Sequence, residues 1–330
     1  MARWVLAGDV GGTKVLLGIY RVGRGGLELE LQDRFATAKF DKLEAVVESF
    51  LERAGHLAGV IRAAAFGTPA PIIEGVARPS NIPWVISESV LSRTLNGLPV
   101  RLLNDLGAAA FGVRHLRDKD TSVLNSGSSK GSIAIIAAGT GLGEAALTWS
   151  DGEYHLVGSE GGHASFAPRD AEQLELLAFL EREFGHVSYE RVLSGPGLVN
   201  IYRFLRSQSR AREPRWLTSA FREGDQSATI SKVALARRDK VCVHTLEMFC
   251  SIYGAEAGNL ALKVLALGGV YLCGGIAPKI LPMLRRGGFM KAFVDKGRMR
   301  KLLQSLAVRV CLNPDVGLLG AAHAAAAMLG

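Results

Sequence analysis

The chain has 330 residues, enough for two globular domains of roughly 100–200 residues each. With 48% hydrophobic and 21% charged residues, its composition excludes a disordered or fibrous protein. Lys and Arg outnumber Asp and Glu by 39 to 31, and the net charge of +8 favours anionic ligands such as nucleotides.

Three further features limit the class of protein. The basic residues are spread along the chain without helix-turn-helix or zinc-finger spacing, so we expect no nucleic-acid partner. The four cysteines match neither a CxxC metal pair nor a disulfide framework, which favours core thiols in a reducing compartment. No signal peptide is evident and no apolar run approaches the ~20 residues that span a bilayer. We therefore expect a soluble, cytoplasmic protein without membrane contact.

Residues 4–20 have the pattern of two strands joined by a glycine-rich turn. Apolar strands at residues 4–7 and 15–20 flank the sequence GDVGGTK. Glycines let backbone N–H groups approach phosphate oxygens, Thr13 adds a hydroxyl donor, and Asp9 is of the residue type that holds Mg²⁺ through water. The sequence lacks the Walker pattern, and a hairpin is not a dinucleotide-binding βαβ unit. The alternative of a plain glycine-rich hairpin therefore stays open.

The following segment predicts a helix, a strand and a loop. Residues 41–55 have the pattern of a helix with Asp41 as N-cap and Glu44 three residues later. Residues 60–66 form an apolar strand. Residues 67–84 are rich in proline, which predicts a rigid loop or short hairpin that could approach a ligand.

The most informative stretch is VRLLNDLGAAAFGV, residues 100–113. Its apolar start suits a buried parallel strand, and its Ala-rich part suits a helix. Asp105 then lies at the carboxyl end of the strand, where open α/β sheets bind their ligands. The alternative is that Asp105 or Asn104 only caps the helix, as these residue types commonly do.

A second glycine turn follows a second apolar strand. After residues 118–132, predicted as a polar surface loop, the strand at residues 133–138 ends in GTGLG, residues 139–143. This turn lies about 130 residues after the first. Two such turns at the heads of separate strand sets predict a duplicated fold, in which each half offers one loop to the same polyphosphate.

Polar residues among the glycines of SEGGH, residues 159–163, are compatible with a polyol site, an interpretation that needs Glu190 as a second carboxylate. The Glu160 carboxylate can accept hydrogen bonds from neighbouring hydroxyls, and the His163 imidazole can donate or accept. The alternatives are an ordinary loop carboxylate and a core histidine. For Glu190, in the stretch YERVLSGPGL, the alternatives are a helix cap or a pair with Arg191.

Residues 170–185 have the signature of an amphipathic helix. Asp170 is the predicted N-cap and Gln173 completes a capping box. Leu174 and Leu177 are predicted to face the core. We assign this helix no chemical role.

The last elements set the predicted domain boundaries. Residues 306–312 form a strand, and residues 317–329 form an Ala-rich helix that returns to the first half. We therefore predict a discontinuous small α/β domain, residues 1–113 plus 306–330. The large α/β domain comprises residues 114–305, and closure of the two would enclose a bound substrate away from water.

Seven stretches of the chain closely resemble motifs of the bacterial ATP-dependent glucokinase family. They follow one another in the right order over nearly the whole chain: GDVGGTK, LLNDLGAAAFG, AAGTGLG, SEGGH, YERVLSGPGL, LCGGIAP and DVGLLG. EGGH and YERVLSGPGL are specific to that family, whereas the glycine turns are shared with the wider superfamily of sugar kinases, Hsp70 and actin. The zinc-binding Cys/His motif of the related ROK kinases is missing from the sequence.

The resemblance implies both a fold and an activity. The fold is a two-domain α/β actin-like ATPase (ribonuclease H-like) fold with a duplicated core and an interdomain cleft. The activity is Mg²⁺-dependent phosphoryl transfer from ATP to the 6-hydroxyl of D-glucose, in a homodimer. The alternatives are a kinase for another hexose or an amino-sugar, and a non-catalytic sugar-responsive regulator on the same fold.

The resemblance also implies roles for individual residues. Asn104 and Asp105 would hold the sugar near its reacting hydroxyl, with Asp105 as general base. Glu160, His163 and Glu190 would bind the other hydroxyls. The residues implied to bind ATP are Gly8, Asp9, Val10, Gly11, Gly12 and Thr13 in the first turn, Gly139, Thr140, Gly141 and Gly143 in the second, and Gly274 and Gly275 beside the adenosine.

Two places depart from the family pattern. Residues 65–70, AFGTPA, stand where a Gly-Pro-rich version is expected. Glu144 places a charge directly after the second glycine turn. Neither departure changes the assignment to the family.

Overall fold

The computed structural model describes residues 3–23, 25–128 and 130–329. The strands are β1 (Arg3–Val10), β2 (Lys14–Gly23), β3 (Gly26–Ala36), β4 (Ile61–Thr68), β5 (Ile72–Ile73), β6 (Val76–Ala77), β7 (Ile86–Ser87), β8 (Val100–Asn104), β9 (Thr121–Asn125), β10 (Ile133–Ala138), β11 (Leu142–Ser150), β12 (Glu153–Ser159), β13 (Gly269–Cys273) and β14 (Val308–Cys311).

The helices are α1 (Leu43–Ala54), α2 (Glu88–Thr94), α3 (Asp105–Val113), α4 (Ala171–Phe184), α5 (Gly195–Gln208), α6 (Arg215–Glu223), α7 (Gln226–Leu235), α8 (Lys240–Lys263), α9 (Ile276–Lys279), α10 (Leu281–Leu284), α11 (Gly288–Val294), α12 (Arg300–Ser305) and α13 (Val316–Ala327). Short 3-10 helices lie at Thr37–Lys39, Gly55–Val60, Asp118–Asp120, Gly161–His163, Tyr189–Arg191 and Gly297–Met299.

By their internal contacts the residues fall into two units. The first unit extends to Arg117 and resumes at Asn313, and the second is Asp118–Leu312. The predicted small domain differs from the first unit at residues 306–312, because β14 pairs with β13 and β9 inside the second unit. The prediction for that segment is wrong because the partners of a strand are set by residues far away in the chain.

The first unit contains a five-stranded sheet in the order β3-β2-β1-β4-β8. The strands β1, β2 and β3 form an antiparallel meander, and the register of β1 against β2 closes at the pair Val10 and Val15. The strands β1, β4 and β8 are parallel to one another. The predicted hairpin around the first glycine turn is therefore confirmed. The proline-rich segment before β8 forms a small separate sheet of β5, β6 and β7.

The second unit repeats this arrangement in a sheet of order β12-β11-β10-β13-β14-β9. Again three antiparallel strands, β10 to β12, are followed by parallel strands, here β13 and β14. The predicted duplicated core is therefore confirmed. The strand β9 adds an antiparallel edge to β14, so the predicted surface loop at residues 118–132 is wrong for that part.

Successive side chains of β1 point to opposite faces of the sheet. On one face Leu6 belongs to a buried apolar cluster with Phe50 of α1. On the other face Val5 belongs to a cluster with Leu318 and Ala322 of α13. The first sheet is thus covered by helices on both faces, as expected for parallel strands without alternating polarity.

The helices α3 and α13 approach each other closely at two glycines. A Cβ atom on Gly112 would lie 2.1 Å from the carbonyl oxygen of Val316. A Cβ atom on Gly320 would lie 1.7 Å from the carbonyl oxygen of Ala108. Because both obstacles are backbone atoms, a larger residue fits only if the helices separate. This contact fixes the position of α3, which begins at Asp105.

The second unit is built around α8, a helix of 24 residues that packs against α5, α7 and α11. Its residues Phe249 and Tyr253 are completely buried. All four cysteines are buried as thiols, which confirms their predicted place in the core. Among the described residues, no helix is both long and apolar enough to cross a membrane.

Helix ends follow the sequence prediction in one case and not in another. The Asp170 carboxylate accepts a hydrogen bond from the Gln173 backbone N–H at 2.9 Å, and the Gln173 side-chain amide donates to it at 2.9 Å, which confirms the capping box of α4. However, Leu174 is 59% exposed and does not face the core. In α1 the N-cap is Lys42, so the predicted cap at Asp41 is wrong.

Candidate active site

Three neighbouring parallel strands of the first sheet end at one edge. At the ends of β1, β4 and β8, Asp9 pairs with Gly67 and Thr68 pairs with Asn104. A Cβ atom on Gly67 would lie 3.1 Å from the Cβ atom of Ala108, so the glycine lets α3 pack close to the sheet. The structure thus brings together Asp9, Asn104 and Asp105 at the carboxyl edge.

The residue that caps α3 is Asn104. Its side-chain oxygen accepts hydrogen bonds from the backbone N–H groups of Leu106 at 3.0 Å and Gly107 at 3.4 Å. Asp105 is exposed, and its Oδ1 also accepts a hydrogen bond from the Leu106 N–H at 2.7 Å. The capping alternative therefore applies to Asn104, and Asp105 holds an exposed carboxylate at the strand end.

Asp9 lies among other carboxylates. Burial, followed by the negative charge of Asp105, raises the pKa of Asp9 to about 6. Lys14 opposes this shift, and Asp315 adds to it. A Cβ atom on Gly317 would lie 3.5 Å from the Asp9 carboxylate, so α13 begins directly beside it. Asp315 is the first residue of the DVGLLG motif, but the motif alone did not indicate a role for it.

This concentration of negative charge fits a hydrated Mg²⁺ ion. Among the residues described, no group of three or more His, Cys, Asp or Glu side chains is placed to hold a metal. Mg²⁺ at nucleotide sites usually keeps several waters and binds only one or two protein carboxylates. Asp9, with Asp105 and Asp315 nearby, meets that requirement.

The first glycine turn contains glycines with different functions. Gly8 lies inside β1, where a Cβ atom would be 2.3 Å from the Phe66 ring, so this glycine is required by packing. A Cβ atom on Gly12 would be 2.8 Å from the side-chain nitrogen of Asn81. Asn81 belongs to the proline-rich segment 67–84, which therefore approaches the turn.

The carbonyl oxygens of this turn are held by Thr37. Its hydroxyl donates to the Gly11 carbonyl at 2.8 Å, and its backbone N–H donates to the Thr13 carbonyl at 3.1 Å. Val10 is buried at the end of β1, whereas Gly12 and Thr13 are exposed. The Gly11 N–H donates to the Lys14 carbonyl at 2.9 Å, so the N–H groups that this turn can present to an anion are those of Gly12 and Thr13.

The second glycine turn is tied to two other segments of the second unit. The Gly139 N–H donates to the Gly141 carbonyl at 2.8 Å, and the Gly195 N–H donates to the Gly139 carbonyl at 2.8 Å. The Leu142 N–H donates to Oε2 of Glu190 at 2.9 Å. A Cβ atom on Gly141 would lie 2.5 Å from the same oxygen. The turn and Glu190 therefore form one packed arrangement.

The segment SEGGH lies directly against this turn. A Cβ atom on Gly162 would be 2.0 Å from the Leu142 carbonyl oxygen. Glu160 and His163 are both exposed. The alternative of a core histidine is therefore wrong. The structure brings Glu160, His163 and Glu190 to the neighbourhood of the second turn.

The sequence left two alternatives for Glu190, a helix cap or a pair with Arg191. The cap of α5 is Ser194, whose hydroxyl oxygen accepts a hydrogen bond from the Gly197 N–H at 3.0 Å. The guanidinium group of Arg191 lies over the Phe184 ring, 4.1 Å from its centroid. Glu190 therefore does not cap this helix. Arg191 contacts the Phe184 ring and is not a partner of Glu190 alone.

A cavity of about 530 Å³ adjoins the second turn. It is lined by Gly139, Thr140, Gly195, Pro196, Val199, Asp225, Gln226, Ser227, Gly275, Ile276 and Lys279. Gly139 and Gly275 meet no other heavy atom within 4 Å of a Cβ position, so these two glycines leave open space. Gly143, by contrast, lies in β11 beyond the turn.

Four polar residues of this cavity were missed in the sequence, namely Asp225, Gln226, Ser227 and Lys279. The Asp225 carboxylate caps α7, accepting hydrogen bonds from the Ser227 N–H at 2.8 Å and the Ala228 N–H at 3.2 Å. The only local signal was an ordinary helix-cap pattern. Gly274, beside the cavity, has φ +80°, and a Cβ atom there would be 2.4 Å from the Ala138 carbonyl oxygen.

Comparison with known proteins identifies the family. The family model described as glucokinase matches residues 6–328. The glucokinase of Nostoc punctiforme is 40% identical over 339 residues, which cover 98% of each chain. The chain belongs to the glucokinase family.

Two solved structures place the fold of this glucokinase-family chain. A glucokinase from an Antarctic psychrotroph matches with a TM-score of 0.87 at 28% identity, covering 98% of this chain and 99% of the other. A ROK family glucokinase from Streptomyces griseus, solved with glucose and AMPPNP, matches with a TM-score of 0.66 at 20% identity, covering 98% and 99%. The fold is the α/β actin-like ATPase fold, as predicted.

Proposed function

We propose that the chain transfers the terminal phosphoryl group of ATP to the 6-hydroxyl of D-glucose, giving glucose 6-phosphate and ADP. The observation that carries this proposal is the match over almost the whole chain to the glucokinase family. Fold alone would not suffice, because one fold hosts several functions.

In the proposed reaction Asp105 is the general base. As the 6-hydroxyl oxygen attacks the phosphorus in line with the departing ADP, its proton passes to the Asp105 carboxylate. The exposed position of that carboxylate at the strand end supports this role. Because Asn104 caps α3, the start of the helix stays fixed when Asp105 changes its protonation state.

The proposed ATP site uses the two glycine turns and the cavity beside the second one. Residues 8–13 and 139–143 would surround the phosphates and bind them through N–H groups other than those of Gly11 and Gly139, which donate to the Lys14 and Gly141 carbonyls. The cavity that Gly275 lines would take the adenosine. Mg²⁺, held through water by Asp9, would neutralise charge on the transferred group. The raised pKa of Asp9 beside Asp105 supports a cation there.

Glu160, His163 and Glu190, which we call the sugar clamp, would bind the hydroxyl groups of glucose that do not react. The exposure of Glu160 and His163 supports this assignment. So does the packing of their segment and of Glu190 against the second glycine turn, which keeps the clamp next to the proposed phosphate site.

A coupled ATP-dependent assay over a panel of hexoses tests the proposed substrate. We expect glucose to be preferred over mannose and galactose, its C2 and C4 epimers, because a moved hydroxyl leaves a clamp residue unpaired. Such discrimination can reach about 10⁴-fold in kcat/KM.

In the same assay Glu160→Gln should lower kcat/KM for glucose more than it changes KM for ATP.

Two results would contradict this assignment. Faster turnover of galactose or an amino-sugar than of glucose would favour a kinase for another sugar. No turnover of any sugar, with sugar binding retained, would favour a non-catalytic regulator. The homodimer and the cytoplasmic location stay predictions, and light scattering after size exclusion tests the first.

Gly139→Ala and Gly275→Ala should each raise KM for ATP by about tenfold or more, because the new methyl group occupies open space that the nucleotide would fill. Thermal unfolding and KM for glucose should stay close to those of the wild type. Steady-state kinetics with either substrate varied, together with melting curves, measure this.

The matched controls come from other glycines. Gly59→Ala also has no neighbouring atom and should leave both KM values unchanged. Gly141→Ala should disturb KM for glucose as well as for ATP, because its Cβ atom meets Glu190. If Gly139→Ala and Gly275→Ala behave like the control at Gly59, the nucleotide does not occupy this cavity.

A further inference from the structure

Two buried carboxyl groups of the second unit have no place in the proposed reaction. Glu144, on β11, is 1% exposed, and Glu256, on α8, is 0% exposed. They lie close enough together for the negative charge of Glu256 to act on Glu144. Two ionised carboxylates side by side in a buried site repel each other, so the pair is stable when it carries one proton.

The surroundings of Glu256 suit the ionised form. Its Oε2 accepts a hydrogen bond from the Asn259 side-chain amide at 2.7 Å, and its Oε1 lies 3.4 Å from the Lys263 ammonium group. The same Asn259 amide donates a hydrogen bond to the Tyr189 hydroxyl at 3.2 Å. Glu144 has no comparable partners, and its buried Oε1 has none among the residues the structure describes. The proton of the pair therefore belongs on Glu144.

The position of Glu144 connects this pair to the sugar clamp. A Cβ atom on Gly161 would lie 2.1 Å from Oε2 of Glu144, so the carboxyl group packs directly on the backbone between Glu160 and His163. On the other side of the pair, the Asn259 side-chain amide joins Glu256 to the hydroxyl of Tyr189, the residue before Glu190. Both segments that carry the clamp thus rest on the two carboxyl groups.

We propose that Glu144 is a positioning residue for the sugar clamp, acting in its protonated form through its contact with Gly161 and beside its charged neighbour Glu256. This proposal rests on the proposed function, because the clamp is its target. Loss of the proton would place two negative charges side by side in a buried site, and the resulting repulsion would displace the backbone at Gly161.

The charge environment sets the pH at which this occurs. Burial, followed by the negative charge of Glu256, raises the pKa of Glu144 to about 7, and the positive charge of Lys263 opposes the shift. The titratable and charged groups that face the pair from the packed elements are Tyr189, Tyr253, Glu256, Lys263 and Lys296. Because the protonated form is the one that supports the clamp, KM for glucose should rise as the pH increases through 7.

The first test compares two variants at one position. Glu144→Ala should raise KM for glucose by about 10- to 100-fold, the usual effect of a small misplacement of binding groups, with KM for ATP little changed. Glu144→Gln keeps the shape and stays neutral beside Glu256, so it should restore tight glucose binding. It should also abolish the rise of KM for glucose between pH 6 and 9 that we expect of the wild type. The control is Glu44→Ala, which removes a buried carboxyl group from the first unit.

The second test uses the collision at Gly161. Gly161→Ala should raise KM for glucose, because its Cβ atom meets Glu144. In the double variant with Glu144→Ala that obstacle is gone, so its KM should be no higher than that of Glu144→Ala alone. Such non-additivity is the signature of two residues that act through one contact. Additive effects would overturn the proposal.

The outcomes of these experiments distinguish the role proposed for Glu144 from the proposed function on which it rests. If Glu160→Gln leaves glucose kinetics unchanged, the clamp itself is wrong. If Glu160→Gln acts as expected but Glu144→Gln follows the wild-type pH profile of KM for glucose, only the role of Glu144 is wrong. If Glu144→Ala fails to fold, the pH profile of KM for glucose in Glu144→Gln still tests the proposal.

Discussion

Replacing Asp105 with asparagine should lower kcat by about 10²–10⁴-fold, the usual contribution of a general base, while glucose binding stays nearly unchanged. The amide keeps the shape of the carboxylate and can still accept the hydrogen bond from the Leu106 N–H, but it cannot take the proton of the 6-hydroxyl. The fold should survive, because the cap of α3 is Asn104. Steady-state kinetics and glucose binding by calorimetry measure the two effects separately.

The matched control is Asp41→Asn, which changes an exposed aspartate of the same unit. It should leave both kcat and glucose binding at wild-type values. A kcat for Asp105→Asn close to that of this control would remove Asp105 from the proposed mechanism. A loss of glucose binding equal to the loss of kcat would make Asp105 a binding residue only.

Gly320→Ala should lower the free energy of unfolding by about 2–4 kcal/mol, the upper range for overpacking. The added Cβ atom would lie 1.7 Å from the Ala108 carbonyl oxygen and 2.7 Å from the Gly112 nitrogen, and neither backbone atom can move without moving α3. Because α3 begins at Asp105, kcat should fall as well. Thermal melting followed by circular dichroism, together with kcat of the folded fraction, measures both effects.

The control for this change is Gly288→Ala in α11, where a Cβ atom meets no other heavy atom within 4 Å. Its stability should change by no more than about 1 kcal/mol, the difference in helix propensity between glycine and alanine. If Gly320→Ala melts at the same temperature as this control, α3 and α13 can separate at little cost and do not fix the carboxylate that we propose as the general base.

Local patterns in the sequence were sufficient for elements whose partners are nearby. The strand at residues 133–138 matches β10, because six apolar residues between polar neighbours suit a fully buried strand. The capping box of α4 is contained in Asp170 and Gln173. The hairpin of β1 and β2 needs only the turn between them.

Local sequence patterns were insufficient for elements whose structure depends on a partner far away in the chain. TSVLN, residues 121–125, is too polar to stand out from a loop, and it becomes β9 only because β14 offers an edge to pair with. The membership of β14 in the second sheet has the same cause. Leu174 fits the helical pattern of α4 but is exposed, because periodicity alone does not fix which side of a helix meets the core.

The candidate site shows the same division. Motifs indicated Asn104, Asp105, Glu160, His163 and Glu190, because each lies in a distinctive short stretch. Contacts between distant stretches could not be read from the sequence. These include the carboxylate of Asp315 near Asp9, the hydrogen bond from Leu142 to Glu190, and the pairing of Glu144 with Glu256.

The place of α13 in the first unit has a consequence for synthesis on the ribosome. The strands β1 to β8 are translated first, yet one face of their sheet is covered by α13, which is translated after all other helices and strands described. The second unit is continuous in the chain and can be completed earlier. The second unit can therefore be completed before the first, although the first residues of the first unit leave the ribosome earlier. Until α13 is translated, apolar residues such as Val5 and Ala65 stay available to chaperones.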